Sequence, residues 1–385
     1  MKIPARFFSL AVLTPALVVL AFASVASEPD ANTYPLVLVG TYTNKTASKG
    51  IYAFAFDPES GTLKSRGIAA ETPDPSWIVI HPNGKFVYAA NESGRESTVT
   101  AFALDASTGE LTQLNQLPAG GEDPCHLSFD KTGKFLLVAN YTSGNVAVFP
   151  VLADGRLGKH TALVKDSGTL GPNKARQEAA HAHWIGVSPD NRFVFVSDLG
   201  LDAVLSYRFD SAKGTLTPNH PPLAKLTSGA GPRHVAFSPS GNFVYVISEL
   251  NSTITSFSYN ASQGSLFEIQ IVSTLADLVS GRNDAAEILV GPDGKWLFVS
   301  NRGQDTISVF SISPADGTLT HTGDFPTGKE PRHFAIDPTG GFLLAENQNS
   351  NSIVVFRIDP QTGALTRASE AENIPSPVCL AFLRR

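Results

Sequence analysis

Several common signatures are scarce or missing in this chain of 385 residues. Its two cysteines, Cys125 and Cys379, fit an exported protein but are too few for a disulfide framework. Charged residues make up 17% of the chain, the net charge is −6, and no block of Lys or Arg provides a footprint for nucleic acid. The sequence also lacks a Gly-rich phosphate loop, a Gly-X-Ser-X-Gly elbow and a recognisable cysteine nucleophile. The function must therefore rest on other residues.

The N-terminus predicts a secretory signal peptide over residues 1–26. Lys2 and Arg6 precede an apolar run over residues 7–26, which ends in small residues at a plausible cleavage site. An uncleaved membrane anchor is the alternative, since about 20 apolar residues can span a bilayer. Pro15 and the small-residue exit favour cleavage, so we expect a periplasmic or secreted protein without stable membrane insertion.

The stretch over residues 229–249 predicts a β-hairpin. Pro232–Phe237 forms one strand, residues 238–242 supply turn chemistry, and Phe243–Ser248 returns as the second strand. Antiparallel pairing brings the start of the first strand beside the end of the second. Arg233, His234 and Glu249 should therefore share one end of the hairpin.

The hairpin recurs along the chain, which has 32 Gly and 26 Pro. Its turn appears six times, at spacings of 46 to 58 residues, and a later Gly-X-Leu signature appears seven times. Short alternating strands at this period predict propeller blades. We predict an all-β, single-domain, seven-bladed β-propeller over residues 33–385, whose final blade joins one C-terminal strand to three N-terminal ones. A whole blade then separates the two cysteines, so we expect no disulfide between them.

Alignment of the repeats gathers polar residues at one mouth of the central channel. Two longer connections, over residues 166–180 and near residues 275–284, should cover a face of the propeller. The polar positions at the channel mouth that we take as candidates for the site are His126, His183, Arg233, His234, Glu249, Asn301, Arg302, Arg332 and His333.

Each group of rim residues also has a structural interpretation. Asn301 and its equivalents can cap backbone groups where strands turn. The arginines can pair with Glu92, Glu249 or Glu287 between blades, although three converging arginines favour anion binding. His181 and His183 could chelate a metal as a His-X-His pair, but no Asp or Cys set with zinc spacing accompanies them. We expect no metal and no cofactor, and a role as general base or substrate ligand for the histidine pair.

Several motifs together resemble the lactonase family of seven-bladed propellers, which includes bacterial 6-phosphogluconolactonases and fungal 3-carboxy-cis,cis-muconate lactonizing enzymes. They include Gln-Glu-Ala-Ala-His-Ala-His at residues 177–183, Gly-Pro-Arg-His at 231–234, Ser-Asn-Arg at 300–302 and Pro-Arg-His at 331–333. The resemblance covers the whole chain after the signal peptide. By resemblance, the catalytic residues are His181 or His183, Arg233, Glu249 and Arg302.

The resemblance implies a lactonase that hydrolyses a lactone of a sugar acid or a similar carboxylated ring. The propeller 6-phosphogluconolactonases act in the cytoplasm, so the predicted signal peptide is a departure from them, and we expect an exported monomer. His181 or His183 would activate water, Arg233 and Arg302 would hold the anionic group and the oxyanion, and Glu249 would orient the base or an arginine. His126, His234, Asn301, Arg332 and His333 would bind the anionic small-molecule substrate. Two alternatives stay open: a lactonizing cycloisomerase, and a non-catalytic propeller that binds a sugar acid or a protein partner.

Overall fold

A computed structural model describes residues 1–5, 34–275 and 281–383 of the chain. The chain divides into two compact units, Met1–Asp30 and Ala31–Arg385, and the fold below is that of the second. Residues 1–5 of the first unit are exposed and have no regular secondary structure. Most of the predicted signal peptide, residues 6–26, lies outside the described residues. Among the described residues, no helix has the length and apolar character needed to cross a membrane.

The described part of the second unit folds into seven antiparallel four-stranded sheets, the blades of a propeller. Blade 1 consists of β4 (Pro75–Ile80), β5 (Phe86–Asn91), β6 (Thr98–Leu104) and β7 (Leu111–Pro118), with a single-turn 3-10 helix at Gly94–Glu96. Blade 2 consists of β8 (Pro124–Phe129), β9 (Phe135–Asn140), β10 (Asn145–Pro150) and β11 (Ala162–Lys165). Blade 3 consists of β12 (Ala182–Val187), β13 (Phe193–Asp198), β14 (Ala203–Asp210) and β15 (Thr215–Lys225).

The remaining blades repeat this order. Blade 4 consists of β16 (Pro232–Phe237), β17 (Phe243–Ser248), β18 (Thr253–Asn260) and β19 (Ser265–Ser273). Blade 5 consists of β20 (Asp284–Val290), β21 (Trp296–Arg302), β22 (Thr306–Ile312) and β23 (Leu319–Pro326). Blade 6 consists of β24 (Pro331–Ile336), β25 (Phe342–Asn347), β26 (Ser352–Ile358) and β27 (Leu365–Glu372).

The closing blade joins the two ends of the propeller. Its strand order is β28 (Pro377–Phe382), β1 (Leu36–Thr41), β2 (Gly50–Asp57) and β3 (Thr62–Glu71). The pairing of Val39 with Leu380 ties the two chain ends together through backbone hydrogen bonds. The predicted seven-bladed propeller, closed by one C-terminal and three N-terminal strands, is confirmed.

The turn residues account for the repeated hairpins. In blade 4, Gly241 adopts φ 72° and donates its amide to the Ser238 carbonyl, while the Ser238 hydroxyl accepts the amide of Phe243. Glycine takes this left-handed conformation without a Cβ clash. The blade 3 turn has Asn191 in the equivalent place at φ 61°, and asparagine is among the few other residues that tolerate it. Local sequence therefore sets each hairpin.

The hydrophobic core lies between neighbouring blades. One cluster, for example, packs Phe195 and Val204 of blade 3 against Val235, Val246 and Phe257 of blade 4. The innermost strands of successive blades contact one another around a central channel, from β4 through to β28 and back to β4. Side chains at the starts of these strands therefore meet at one mouth of the channel.

Candidate functional site

β-bulges at the starts of the innermost strands aim the site residues. In blade 4, Pro232 pairs with Ser248 and His234 pairs with Ile247, so Arg233 is the extra residue. Arg332 occupies the same place in blade 6. A bulge breaks the alternation of side chains between the two faces of a strand. Adjacent residues such as Arg233 and His234 can therefore both point toward the channel.

Glu249 is the centre of a buried cluster of arginines. Its Oε2 atom lies 2.8 Å from Nη2 of Arg302 and 3.2 Å from Nε of Arg233, and its Oε1 atom lies 2.5 Å from Nη2 of Arg176. Arg302 donates a hydrogen bond, whereas Arg233 forms an ion pair without a directed hydrogen bond from Nε. Arg233 is held instead by its Nη1, which donates to the Ala286 carbonyl at 2.7 Å. Sequence analysis brought Arg233, Glu249 and Arg302 together correctly.

Arg176 comes from the long connection over residues 166–180 and covers this cluster from outside. Its side chain is 33% exposed, against 5% for Glu249, and its Nη2 also donates to the hydroxyl of Tyr141 at 3.3 Å. The neighbouring Gln177 anchors the connection, because its amide donates to the Leu199 carbonyl at 2.9 Å. The connection therefore forms the outer wall of the site.

The charges of the cluster perturb one another strongly. Burial, followed by the charges of Arg302 and Arg332, lowers the pKa of Arg233 to about 9. Burial alone would raise the pKa of Glu249, but Arg302, Arg233 and Arg176 lower it well below its usual range. Glu249 is thus an anion, and Arg233 is a cation that would be further stabilised by an arriving negative group.

A second group of polar residues lies beside Arg332. The Arg332 guanidinium sits 5.4 Å from the ring centroid of Tyr42, and the Tyr42 hydroxyl donates to Glu92 at 2.9 Å. Burial raises the pKa of Glu92, which Arg332 and Tyr42 oppose. Arg332 therefore faces the channel from the closing-blade side, and its charge is felt at Arg233.

The two histidines of the His-Ala-His motif differ sharply. His181 is engaged at both ring nitrogens: Nδ1 lies 3.1 Å from the Tyr141 carbonyl, and Nε2 lies 3.1 Å from Glu178 Oε1. Its ring also stacks on Tyr141 with centroids 4.5 Å apart. His183 is buried, and its Nδ1 has no hydrogen-bond partner in the described part of the chain. Of the two predicted candidates for a base, the structure leaves only His183 with an available nitrogen.

A layer of aromatic rings crosses the channel beneath the arginines. Trp77 is the common partner, with ring centroids 4.4 Å from His126, 5.3 Å from His234 and 5.1 Å from His333. His234 also lies 5.2 Å from His183. Burial and neighbouring positive charge lower the pKa of each of these histidines, so the layer is neutral near pH 7.

A cavity of about 1000 Å³ lies on the other side of this layer. It is lined by the later residues of the innermost strands, such as Ile80, Phe129 and Ile336, and by Trp77 and His126 at its inner end. None of the arginines or glutamates of the cluster lines it. We therefore place the candidate site at the arginine-lined mouth and not in this cavity.

Asn301, one of the predicted substrate ligands, is part of the blade structure. Asn301 does not reach the channel, because its amide nitrogen donates to Ser308 at 2.9 Å and its amide oxygen accepts from Thr274 at 2.7 Å. It therefore supports the blade, and we do not retain it as a substrate ligand.

Cys125 and Cys379 are buried free thiols on β8 and β28. The described residues contain no group of three His, Cys, Asp or Glu suited to a metal ion.

Three residues in or beneath the site are not among the predicted site residues. Arg176 was hidden in a connection without a strand pattern, although the length of that connection marked it as a feature. Glu287 was considered only as a partner for arginine, but its Oε2 lies 3.0 Å from Nδ1 of His234. Glu346 directly precedes the asparagine that corresponds to Asn301 in blade 6, and its Oε2 lies 2.6 Å from Nδ1 of His333. Glu287 reaches His234 from the neighbouring blade, whereas Glu346 is the cross-strand partner of His333 within blade 6.

Fold and site together define a seven-bladed propeller with an arginine-rich channel mouth over a layer of neutral histidines. A family described as "Lactonase, 7-bladed beta-propeller" matches residues 36–382. The chain belongs to this lactonase family.

Two named relatives and one solved structure are similar over most of the chain. A 6-phosphogluconolactonase of Bacillus subtilis is 37% identical over 348 residues, covering 90% of this chain and 98% of the relative. One from Formosa agariphila is 35% identical over 308 residues, covering 78% and 86%. The structure of a periplasmic gluconolactonase of Pseudomonas aeruginosa superposes with a TM-score of 0.85 at 33% identity, covering 90% of this chain and 98% of that one.

Proposed function

We propose that the protein is an exported lactone hydrolase that opens the lactone of a sugar acid. The observation that carries the proposal is the convergence of Arg176, Arg233 and Arg302 on one buried carboxylate, directly above neutral histidines. Such an arrangement supplies both a site for negative charge and a group able to accept a proton. The lactonase family and its relatives named as 6-phosphogluconolactonases support the same reaction class.

The arginines would act on the charge that develops during ring opening. Attack of water on the lactone carbonyl creates an oxyanion, and Arg233 and Arg302 are suited to stabilise it or to hold a substrate anion. Among the residues that the structure describes, Glu249 pairs with arginines and with no histidine, so its proposed role is to orient the arginines and not the base. Within the predicted pair, His183 is the histidine with a ring nitrogen, Nδ1, that no described residue pairs with.

We further propose that the substrate lacks a phosphate group. The predicted signal peptide would place the protein outside the cytoplasm, where sugar phosphates of central metabolism are not supplied. The similar structure from Pseudomonas aeruginosa is named a periplasmic gluconolactonase. A gluconolactone-type ring therefore fits the expected compartment better than its phosphorylated form.

The proposal is tested by measuring proton release from glucono-1,5-lactone and its 6-phosphate, above the rate without protein. We expect hydrolysis of both or of the unphosphorylated lactone, and a loss of at least about 100-fold in kcat/KM for Arg233→Ala. Arg192→Ala is the control, because Arg192 is exposed and pairs with Asp190 at a hairpin turn. A wild-type protein that opens neither lactone would contradict the proposal. In that case, cyclisation of a carboxymuconate would favour a cycloisomerase. Binding of gluconate without turnover would favour a binding protein.

A further inference from the structure

His234 is held by a carboxylate on one ring nitrogen. Its Nδ1 lies 3.0 Å from Oε2 of Glu287, and its buried Nε2 has no hydrogen-bond partner among the described residues. The other oxygen of Glu287 accepts the backbone amide of Ile288 at 3.0 Å. A histidine anchored by a carboxylate on one nitrogen, with the other nitrogen unoccupied, is the arrangement found in activated general bases.

A second carboxyl group behind Glu287 fixes the direction of these hydrogen bonds. Glu346 Oε2 lies 2.6 Å from Nδ1 of His333, and Nε2 of His333 lies 3.7 Å from Glu287 Oε2. Burial, followed by the charge of Glu287, raises the pKa of Glu346 well above its usual range. Glu346 therefore keeps its proton and donates to Nδ1 of His333, which leaves the His333 N–H on Nε2, toward Glu287.

The groups around Glu287 then carry the hydrogens, and Glu287 accepts hydrogen bonds from them. Burial raises its pKa, but His333, Arg233 and the amide of Ile288 oppose that rise. As a carboxylate it accepts from Nδ1–H of His234, so the lone pair of His234 is on Nε2. In this tautomer, Nε2 is the ring nitrogen that can accept a proton.

The surroundings of His234 keep it neutral until it receives that proton. Burial lowers the pKa of His234, and so does the charge of Arg233 next to it. The titratable and charged groups that face it across the channel are Glu287, His126, His183, His333, Arg233, Arg302 and Arg332. Among them only Glu287 forms a hydrogen bond with the ring, so it is the group that can stabilise the imidazolium once formed.

His183 lacks such a partner. Among the described residues, no carboxylate lies within hydrogen-bonding or ion-pair distance of its ring, while Arg233 and Arg332 both disfavour its charged form. The same arginines disfavour the charged form of His234, but a proton accepted by His183 would have no carboxylate partner to offset that repulsion. We propose that His234, and not His183, is the base that activates water, and that Glu287 is its positioning residue. This assignment rests on the proposed lactone hydrolysis.

In the proposed reaction, one histidine accepts the proton from water and later returns it to the substrate. Nε2 of His234 takes a proton from water as the water oxygen bonds to the lactone carbonyl carbon, and the carbonyl oxygen becomes an oxyanion facing the arginines. The C–O bond of the ring then breaks, and the departing ring oxygen takes the proton back from Nε2. The product is a hydroxy acid, which releases its carboxyl proton to solvent, and His234 returns to its neutral form.

Two isosteric substitutions separate this assignment from a merely structural role. In Glu287→Gln the amide N–H₂ can donate to Nδ1 of His234, which moves the ring hydrogen to Nε2 and removes the base. We expect kcat to fall by about 100- to 1000-fold while KM stays within about threefold. In Glu346→Gln the amide replaces the carboxyl O–H as donor to His333, so we expect a loss of at most about threefold.

The tautomer provides a readout that needs no substrate. Nitrogen-15 spectra of the histidine rings, assigned with His234→Asn, should place the hydrogen on Nδ1 in the wild type and in Glu346→Gln, and on Nε2 in Glu287→Gln. Hydrogen on Nε2 of wild-type His234 would overturn the assignment even if no lactone were hydrolysed.

The kinetic outcomes are equally separable. An active wild type with near-normal Glu287→Gln, or with His183→Asn more damaging than His234→Asn, would refute His234 as base and leave the lactonase proposal intact. If Glu287→Gln does not fold, the comparison of the two histidine variants decides alone. An inactive wild type refutes the lactonase proposal instead.

Discussion

Two buried carboxyl groups in the same channel are held in opposite protonation states. Glu249 lies among Arg176, Arg233 and Arg302, and those charges keep it ionised although it is buried. Glu346 has a histidine as its neighbour and the charge of Glu287 beyond it, and it keeps its proton. Burial is common to both, so the sign of the nearby charge decides. The mouth of the channel is therefore suited to bind anions, and the layer beneath it is suited to transfer a proton.

The largest effect should come from breaking the arginine cluster. Glu249→Gln leaves three arginines facing one neutral amide, and we expect a loss of about 3 kcal/mol of unfolding free energy together with most of the activity. The repeat alignment, which puts Glu249 at the channel mouth and outside a packed blade interior, predicts that this variant affects turnover more than folding. The structure corrects that prediction, because Glu249 is buried directly after the end of β17. Urea unfolding measures the change.

The matched variant for this comparison is Glu346→Gln, which replaces a neutral acid with a neutral amide. We expect it to cost less than about 1 kcal/mol. The pH dependence differs as well. The folded pKa of Glu249 lies below its unfolded value of about 4.3, so its contribution is present above that pH and is lost as pH falls. Equal costs for the two variants at pH 7 would contradict the comparison.

A second effect concerns the neutral histidine layer. The pKa of His333 is lowered to about 4, chiefly by burial, against about 6.5 when unfolded. The unfolded chain then binds more protons between these values, so this contribution is complete above pH 6.5 and is lost as pH falls toward 4. We expect His333 to account for about 2 kcal/mol of the loss of unfolding free energy between pH 7 and pH 5, measured by urea unfolding. His333→Gln should reduce the loss by that amount while the other buried histidines still contribute, and an unchanged slope would count against a neutral His333.

The smallest effect should come from the outer wall of the site. Arg176→Ala removes the most exposed arginine of the cluster, so we expect KM to rise by about tenfold and stability to change by less than about 1 kcal/mol. Steady-state kinetics measure the first and thermal unfolding the second. Arg192→Ala, which removes another partly exposed arginine with a carboxylate partner, should change neither. An unchanged KM in Arg176→Ala would remove the connection over residues 166–180 from substrate binding.

The architecture was predictable because each hairpin is encoded locally. The turn containing Gly241 and the strands on either side recur with the same spacing, so their count gave the blades and their alignment gave the channel mouth. Arg233, Glu249 and Arg302 were found in this way. Other contacts of the site join different blades, such as Arg302 with Glu249 and Glu287 with His234, and no repeat encodes these.

His181 illustrates what the sequence could not reveal. It shares a motif with His183, yet a backbone carbonyl of blade 2 and the side chain of Glu178 occupy both of its nitrogens. Glu346 is similar, since its protonation follows from complete burial beside His333. Arg176 lies in an irregular connection, where side-chain position depends on anchors such as Gln177.

Neutron diffraction from deuterium-exchanged crystals at neutral pH tests the comparison most directly, because it locates hydrogen on each carboxyl and each ring nitrogen. The account predicts deuterium on Glu346, on Nε2 of His333 and on Nδ1 of His234, and none on Glu249 or Glu287. Deuterium on the carboxyl group of Glu287, or its absence from that of Glu346, would contradict the account.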